Sequence, residues 1–238
     1  MKDSNLAAKK SNDVLDTSLV SPYCEKNGLL EFKEELTRPE FFAQWSFVMN
    51  VYGETVQVDH CVLILPDLPI LENYAKALLP YTVEIVEGPG LFPLDFCPNT
   101  YTITEDLQFH LLTMLMPAGG LIVLGAPHAV GDQLDRFLQT RGNRGVHHVA
   151  IRVEDIYKAA LVWQGKGFQP LSEKPLDGNS LCQWLVRNSA GQIIELIQRL
   201  PDNKATFFCQ NIGGLRRSEL ARGKKPQSES LLLSITVN

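Results

Sequence analysis

"GVHHVAIRVEDI", residues 145–156, is the stretch whose reading decides the fold. Two adjacent histidines lead into a run of apolar and β-branched residues, and an acidic pair closes it. Such a run reads as a strand, with Asp155 at the N-cap of a helix over "IYKAALVWQGKG" (156–167).

The same layout occurs once before. In "DHCVLILPDL" (59–68), His60, Asp67 and Leu68 map, 88 positions on, to His148, Asp155 and Ile156, and the helical stretch here is "LPILENYAKALL" (68–79). Each helix leads into further strand-like segments. After the first come "TVEIVEG" (82–88), "LQFHLLTML" (107–115) and "GLIVLG" (120–125), with an irregular insertion at 89–106. After the second come "FQPLSE" (168–173), "SLCQWLVRN" (180–188) and "QIIELIQRL" (192–200), separated by the turn compositions "PLDGN" and "NSAG". The whole order β-α-β-β-β recurs, so the fold class is α+β, built from a duplicated module. The spacing predicts modules at 58–127 and 146–200, a linker helix ending at Gly142 within 128–145, an N-terminal extension at 1–45 with weak periodicity, and a C-terminal extension at 201–238.

Strand parity singles out Glu195. It shares a face with Ile193 and Ile197, and a charge among apolar neighbours is costly unless it is paired or bound to metal. By the same alternation His147 points away from His148 and reads as structural, while His128, after Pro127, reads as solvent-facing. Cys61 and Cys182 fall inside strands as small hydrophobes. Phe207 and Phe208 either cap the barrel mouth or pack outside it. Arg216, Arg217, Arg222, Lys224 and Lys225 read as a solvated tail.

Three motifs carry a family resemblance: "VDH" (58–60), "GNRGVHHVAI" (142–151) and "GQIIELIQR" (191–199). Over about 58–200 the chain resembles the vicinal oxygen chelate superfamily, which includes glyoxalase I, methylmalonyl-CoA epimerase, extradiol dioxygenases and 4-hydroxyphenylpyruvate dioxygenase. The resemblance implies two tandem βαβββ modules forming a half-open barrel around a divalent metal. Ligands in that family come from the first and last strands of each module, which here are His60, His148 and Glu195, with Val123 in the fourth place. Val123 cannot ligate. Two histidines and one carboxylate on one side of an ion suit non-haem Fe(II), because a bidentate substrate and O₂ need adjacent open positions.

"IELIQR" also resembles the end of the catalytic module of 4-hydroxyphenylpyruvate dioxygenases. The implied function is an Fe(II) dioxygenase acting on a small oxo- or hydroxy-acid. The chain departs from that family at "FFCQNIGGLRRSELARG" (207–223), where those enzymes place a Phe/Gly/Asn-containing helix that closes on the substrate. By "LDRFLQTRGNRGVHHVAI" (134–151) and by module length the chain equally resembles methylmalonyl-CoA epimerase. That alternative implies an isomerase holding Co(II), Mn(II), Zn(II) or Ni(II), with Glu105 or His110 moving a proton. Gln108 and His110 share one strand face, which makes one of them a candidate to line the cavity. A non-catalytic glyoxalase-like binding protein is the third reading.

Composition bounds the partners. A net charge of -5 with no Lys/Arg stripe through the body argues against nucleic acid and for a small-molecule substrate. The charge-free stretch between Asp106 and Asp132 is broken by Pro117, Gly119 and Gly120, so it does not reach the ~20 residues of a membrane span. "MKDSNLAAKKSNDVLD" lacks the apolar core of a secretory signal. The five cysteines are scattered with no C-x-x-C, which predicts free thiols in a reducing cytoplasm. The sequence leaves the oligomeric state open, a homodimer being one option.

Overall fold

In a computed structural model, residues 21–33, 38–99, 107–178, 181–199 and 209–223 are described. The chain opens with β1 (Tyr23–Lys26), β2 (Leu29–Phe32), α1 (Pro39–Gln44) and β3 (Val48–Val51). The first module follows as β4 (Glu54–Ile64), α2 (Leu68–Leu78), β5 (Glu84–Phe92), β6 (Phe109–Leu115) and β7 (Leu121–Pro127), and α3 (Gln133–Arg141) joins it to the second. The second module is β8 (His148–Arg152), α4 (Ile156–Gly165), β9 (Gln169–Pro170), β10 (Leu176–Asp177), β11 (Leu181–Arg187) and β12 (Ile193–Arg199). Helix α5 (Cys209–Gly223) comes last.

Local chemistry starts each helix where the sequence places it. The Asp67 carboxylate accepts from the backbone N–H of Ile70 at 2.9 Å, and Asp155 accepts from those of Tyr157 and Lys158 at 3.1 and 3.0 Å. Each cap satisfies backbone N–H groups that the first helical turn leaves without a partner. The buried residues Leu71, Ala75 and Leu78 of α2, and Ile156, Ala160 and Trp163 of α4, recur at helical spacing and dock onto one face of the sheet.

The strands form one open sheet in the order β10-β11-β12-β8-β4-β7-β6-β5, with β3 added beside β4 and β9 beside β11. In each module the first strand runs parallel to the last: β4 beside β7, β8 beside β12. The modules meet where β4 pairs antiparallel with β8. Two tandem βαβββ modules in an α+β fold are therefore present. Alternation along β4 divides the core: Cys61 and Leu63 pack with the helices, while Val62 and Ile64 join a second apolar cluster with Leu111, Val123 and Leu134.

Several local readings change. β5 continues through Phe92 into the expected insertion, with register shifts between Ile85 and Gly90 that let the strand bend. "FQPLSE" yields only the two-residue β9, because Pro170 lacks a backbone donor and confines the segment to an edge. "PLDGN", read as a turn, contributes β10. Within the N-terminal extension, β1 and β2 make a hairpin through Asn27 and Gly28, both at positive φ. It docks by a hydrogen bond from Leu30 N–H to Gln192 Oε1 at 2.9 Å, and by Tyr23, whose hydroxyl lies 3.1 Å from Cys61 Sγ. Strands of four residues are too short to register as periodicity.

The cysteine expectation is overturned. Cys97 and Cys209 form a disulfide across a sequence separation of 112, and Cys24, Cys61 and Cys182 are free. Spacing had shown no pattern because the partners lie on a loop and a helix brought together only by the fold. No helix among the described residues is long and apolar enough to cross a membrane.

Candidate metal centre

The ladder registers bring three side chains to one point. In the second module His148 lies beside Ile193 in the β8/β12 pairing, so Glu195, two residues on, faces the same side. In the first module His60 lies beside Leu121 in the β4/β7 pairing, and the position equivalent to Glu195 is Val123. Since β4 and β8 are themselves paired, both histidines and Glu195 converge at the module junction. Candidate ligand atoms of His60, His148 and Glu195 lie within 4.8 Å of one another. The closest approaches are 3.3 Å between the two Nε2 atoms, 3.3 Å from His60 Nε2 to Glu195 Oε2, and 3.1 Å from His148 Nε2 to the same oxygen. Three donors held ~2.0–2.2 Å from one ion and near right angles to one another stand roughly 3 Å apart, so the triangle is the right size for a first-row divalent metal.

Each donor is held from behind. His60 Nδ1 faces Asp59 Oδ1 at 3.2 Å, which leaves Nε2 toward the triangle. Asp59 reaches this side because β4 bulges between Val58 and His60, placing one extra residue against β8. Its fully buried carboxylate is clamped by Arg199 at 2.7 Å on each oxygen and by Arg152 at 3.1 Å. Burial alone would push its pKa up, but hydrogen bonds from His60 and Arg199 hold it well below the usual carboxylate range. Gln183 on β11 donates its amide N–H to Glu195 Oε1 at 2.5 Å, leaving Oε2 for the two histidines.

His148 is braced by His147. Their Nδ1 atoms are 2.9 Å apart, and the Gln133 amide nitrogen lies 3.5 Å from His147 Nε2. Burial, and then the charges of His148, Arg216 and Arg141, push the His147 pKa down to about 3, so its ring is neutral and the two facing Nδ1 atoms share one hydrogen bond. The expectation that His147 faces away is therefore corrected: it precedes the first residue of β8, where strand alternation does not yet apply.

Within the triangle, burial opposes charge on His60, yet hydrogen bonds and attraction from Asp59 and Glu195 win and raise its pKa to about 9. Burial likewise opposes charge on Glu195, but His148 and His60 lower its pKa to about 2. Metal-free, the cluster holds a proton where an ion would sit.

The triangle opens into a cavity of about 120 Å³. Its walls are mainly apolar, among them Val62, Phe109, Leu111, Val123 and Leu185. Leu107, Phe109 and Leu111 line it, so the opposite face of β6, carrying His110, does not; the His110 ring instead lies 5.6 Å from that of His128. The expectation that His110 meets the cavity fails on strand parity, and Glu105 lies outside the described residues. Phe207 and Phe208 also lie outside them.

The C-terminal extension supplies the outer wall. Ile212, Leu215, Arg216 and Glu219 of α5, one helical stripe, line the cavity, and Arg216 Nη1 pairs with Glu219 Oε2 at 2.8 Å. Arg216, read as tail, is thus a wall residue. Asp59, Gln183 and the α5 stripe were missed from sequence. The available signals were the carboxylate beside His60, an amide at cavity parity in an otherwise apolar strand, and the 212/215/216/219 spacing.

No protein-family model matches the sequence, and a search of curated proteins finds no match. Similarity appears in solved structures. A triple mutant of 4-hydroxymandelate synthase from Streptomyces coelicolor superposes with a TM-score of 0.50 at 18% identity, covering 71% of this chain and 54% of the synthase. Methylmalonyl-CoA epimerase from Mycobacterium tuberculosis gives 0.42 at 20% identity, covering 61% of this chain and 90% of the epimerase. A hypothetical protein from Bacillus halodurans gives 0.42 at 15%, covering 63% and 99%. The synthase belongs to the vicinal oxygen chelate superfamily. The chain therefore has the fold of the vicinal oxygen chelate proteins, an α+β arrangement of paired modules around an open sheet.

Proposed function

We propose that this chain is a metal-dependent enzyme of the dioxygenase type, with His60, His148 and Glu195 as its ligands and a small oxo- or hydroxy-acid as its substrate. The observation that carries this reading is the facial triangle with apolar Val123 at the equivalent fourth position. A divalent metal bound there, Fe(II) in this reading, supplies Lewis acidity, a template for two substrate oxygens and an open position for O₂.

The remaining work falls to the chain's own residues. Asp59 keeps the His60 proton on Nδ1, so its Nε2 stays available, and the Nδ1–Nδ1 contact with His147 fixes the orientation of the His148 ring. Gln183 fixes the rotamer of Glu195. Val62, Phe109, Leu111 and Leu185 exclude water and seat the apolar part of a small acid.

The isomerase alternative, with Zn(II), Co(II), Mn(II) or Ni(II), loses His110 as a proton carrier and keeps Glu105. One observation favours it: Glu219 lines the cavity with its pKa raised by burial, as suits a general acid/base. Anaerobic reconstitution separates the two. The dioxygenase reading expects oxygen uptake by the Fe(II) protein with a 2-oxo acid, abolished when Zn(II) replaces Fe(II). Exchange of a substrate α-proton with solvent by the Zn(II) or Co(II) protein under argon, stopped by Glu219→Gln or Glu105→Gln, would replace it with the isomerase.

A further inference from the structure

We propose that the Cys97–Cys209 disulfide is a latch that holds α5 shut over the cavity, and that its reduction by a dithiol releases the helix and opens the site. The inference rests on the geometry of cavity and helix alone, and stands whether or not the triangle holds a metal.

Helix α5 touches both modules. Cys209, its first residue, is bonded to Cys97 in the turn after β5 of the first module, and there Ile212 joins an apolar cluster with Phe92, Phe96 and Leu107. On its other side, buried Asn211 lies against Gly178, and Gly214 lies so close to Leu176 of β10 that a Cβ there would stand 2.8 Å from the leucine side chain. Between these contacts the stripe Ile212, Leu215, Arg216 and Glu219 forms the cavity's outer wall. The non-covalent anchor on the second module includes a two-residue edge strand, whereas the anchor on the first is a covalent bond.

A helix of this length is marginal in water on its own, so α5 stays in place through what ties it to the sheet. The bond closes a long loop, which makes its constraint on the open state large. Reduction breaks one S–S bond: the dithiol gives up two electrons and two protons, Cys97 and Cys209 become thiols, and the reductant closes its own disulfide. What remains is a short amphipathic contact, and the lid then opens by local unfolding while the sheet keeps its core.

The test uses the full-length, metal-free chain and hydrogen exchange read by mass spectrometry, with and without dithiothreitol. Thiol titration after denaturation should count three thiols before reduction and five after. Peptides from 209–223 should exchange at least about tenfold faster in the reduced protein, with β8 and β12 peptides unchanged. Cys97→Ser, and independently Cys209→Ser, should show the fast pattern without reductant and no further response to it. Equal α5 exchange in the two redox states overturns the latch. So does finding five thiols in the unreduced protein, or a loss of protection that spreads to β8 and β12, since the bond would then hold the whole fold.

Discussion

Replacing Gln183 by leucine isolates one contact behind the proposed metal site. Gln183 and Glu195 are each 1% exposed, and the amide N–H reaches Oε1 at 2.5 Å. A hydrogen bond to a buried charge contributes about 1.5–3 kcal/mol, and its loss falls on the state in which Glu195 Oε2 must be held at one point. The metal-free protein compensates, because the anionic carboxylate, no longer held at Oε1, can turn both oxygens toward the protonated His60 ring. The metal-bound protein has no such freedom, so the cost appears as weaker binding, about 10- to 100-fold. The fold should tolerate the change, since Gln183 Oε1 is buried without a hydrogen bond and leucine removes that unmet acceptor at similar volume. The assay is Zn(II) or Co(II) competition against a chelating dye, run beside a urea titration. His110→Leu serves as control, expected to bind metal like the parent because its strand face lies away from the cavity. A Gln183→Leu dissociation constant within threefold of the parent's would refute the reasoning, because either Glu195 is not a ligand or its orientation does not depend on Gln183.

Asp59→Ala leaves the Arg199 guanidinium without its buried carboxylate, and removing one partner of such a pair costs about 3–5 kcal/mol; a urea midpoint corresponding to less than ~1 kcal/mol would contradict the clamp. The pH dependence of the metal-free protein follows from two opposite shifts. His60 is raised from 6.5 to about 9, so its contribution to stability is full below pH 6.5 and is lost as pH rises through 9. Glu195 is lowered from 4.5 to about 2, so its contribution is present above pH 4.5 and is lost as pH falls through 2. Thermal melts should therefore decline from pH 7 to 9, and metal binding should release one proton per site below pH 9, with apparent affinity rising about tenfold per unit. Proton-free binding at pH 7 by calorimetry in two buffers would contradict the cluster's charge state.

The sequence made the duplication legible because repeated strands and N-caps are local: Asp67 and Asp155 cap helices by contacts within three residues. The two candidate histidines were legible through the same repeat, since a matching position on a matching strand comes to a matching place, and Glu195 through strand parity and the family resemblance. What escaped detection depends on contacts across long separations. Asp59 meets Arg199 across 140 residues and only because a bulge turns it, and Gln183 meets Glu195 across a hairpin whose register no composition specifies. The disulfide and the α5 lid escaped for the same reason: their partners lie in an irregular loop and a weakly amphipathic helix. His147 and His110 show the limits of parity, which fails before a strand begins and does not say which face meets a cavity: the apolar face of Phe109 and Leu111 lines it, and the polar face of Gln108 and His110 does not.

The central claim is that His60, His148 and Glu195 bind one metal ion together. It is tested most directly by metal analysis of anaerobically reconstituted protein, with Glu195→Ala measured beside the parent under the same conditions. The account predicts one Fe(II) per chain in the parent, and near-complete loss in Glu195→Ala with the far-ultraviolet circular dichroism unchanged, because two imidazoles alone make a weak site. Full metal stoichiometry in Glu195→Ala, or a parent chain that takes up no divalent ion between pH 7 and 9, would contradict it.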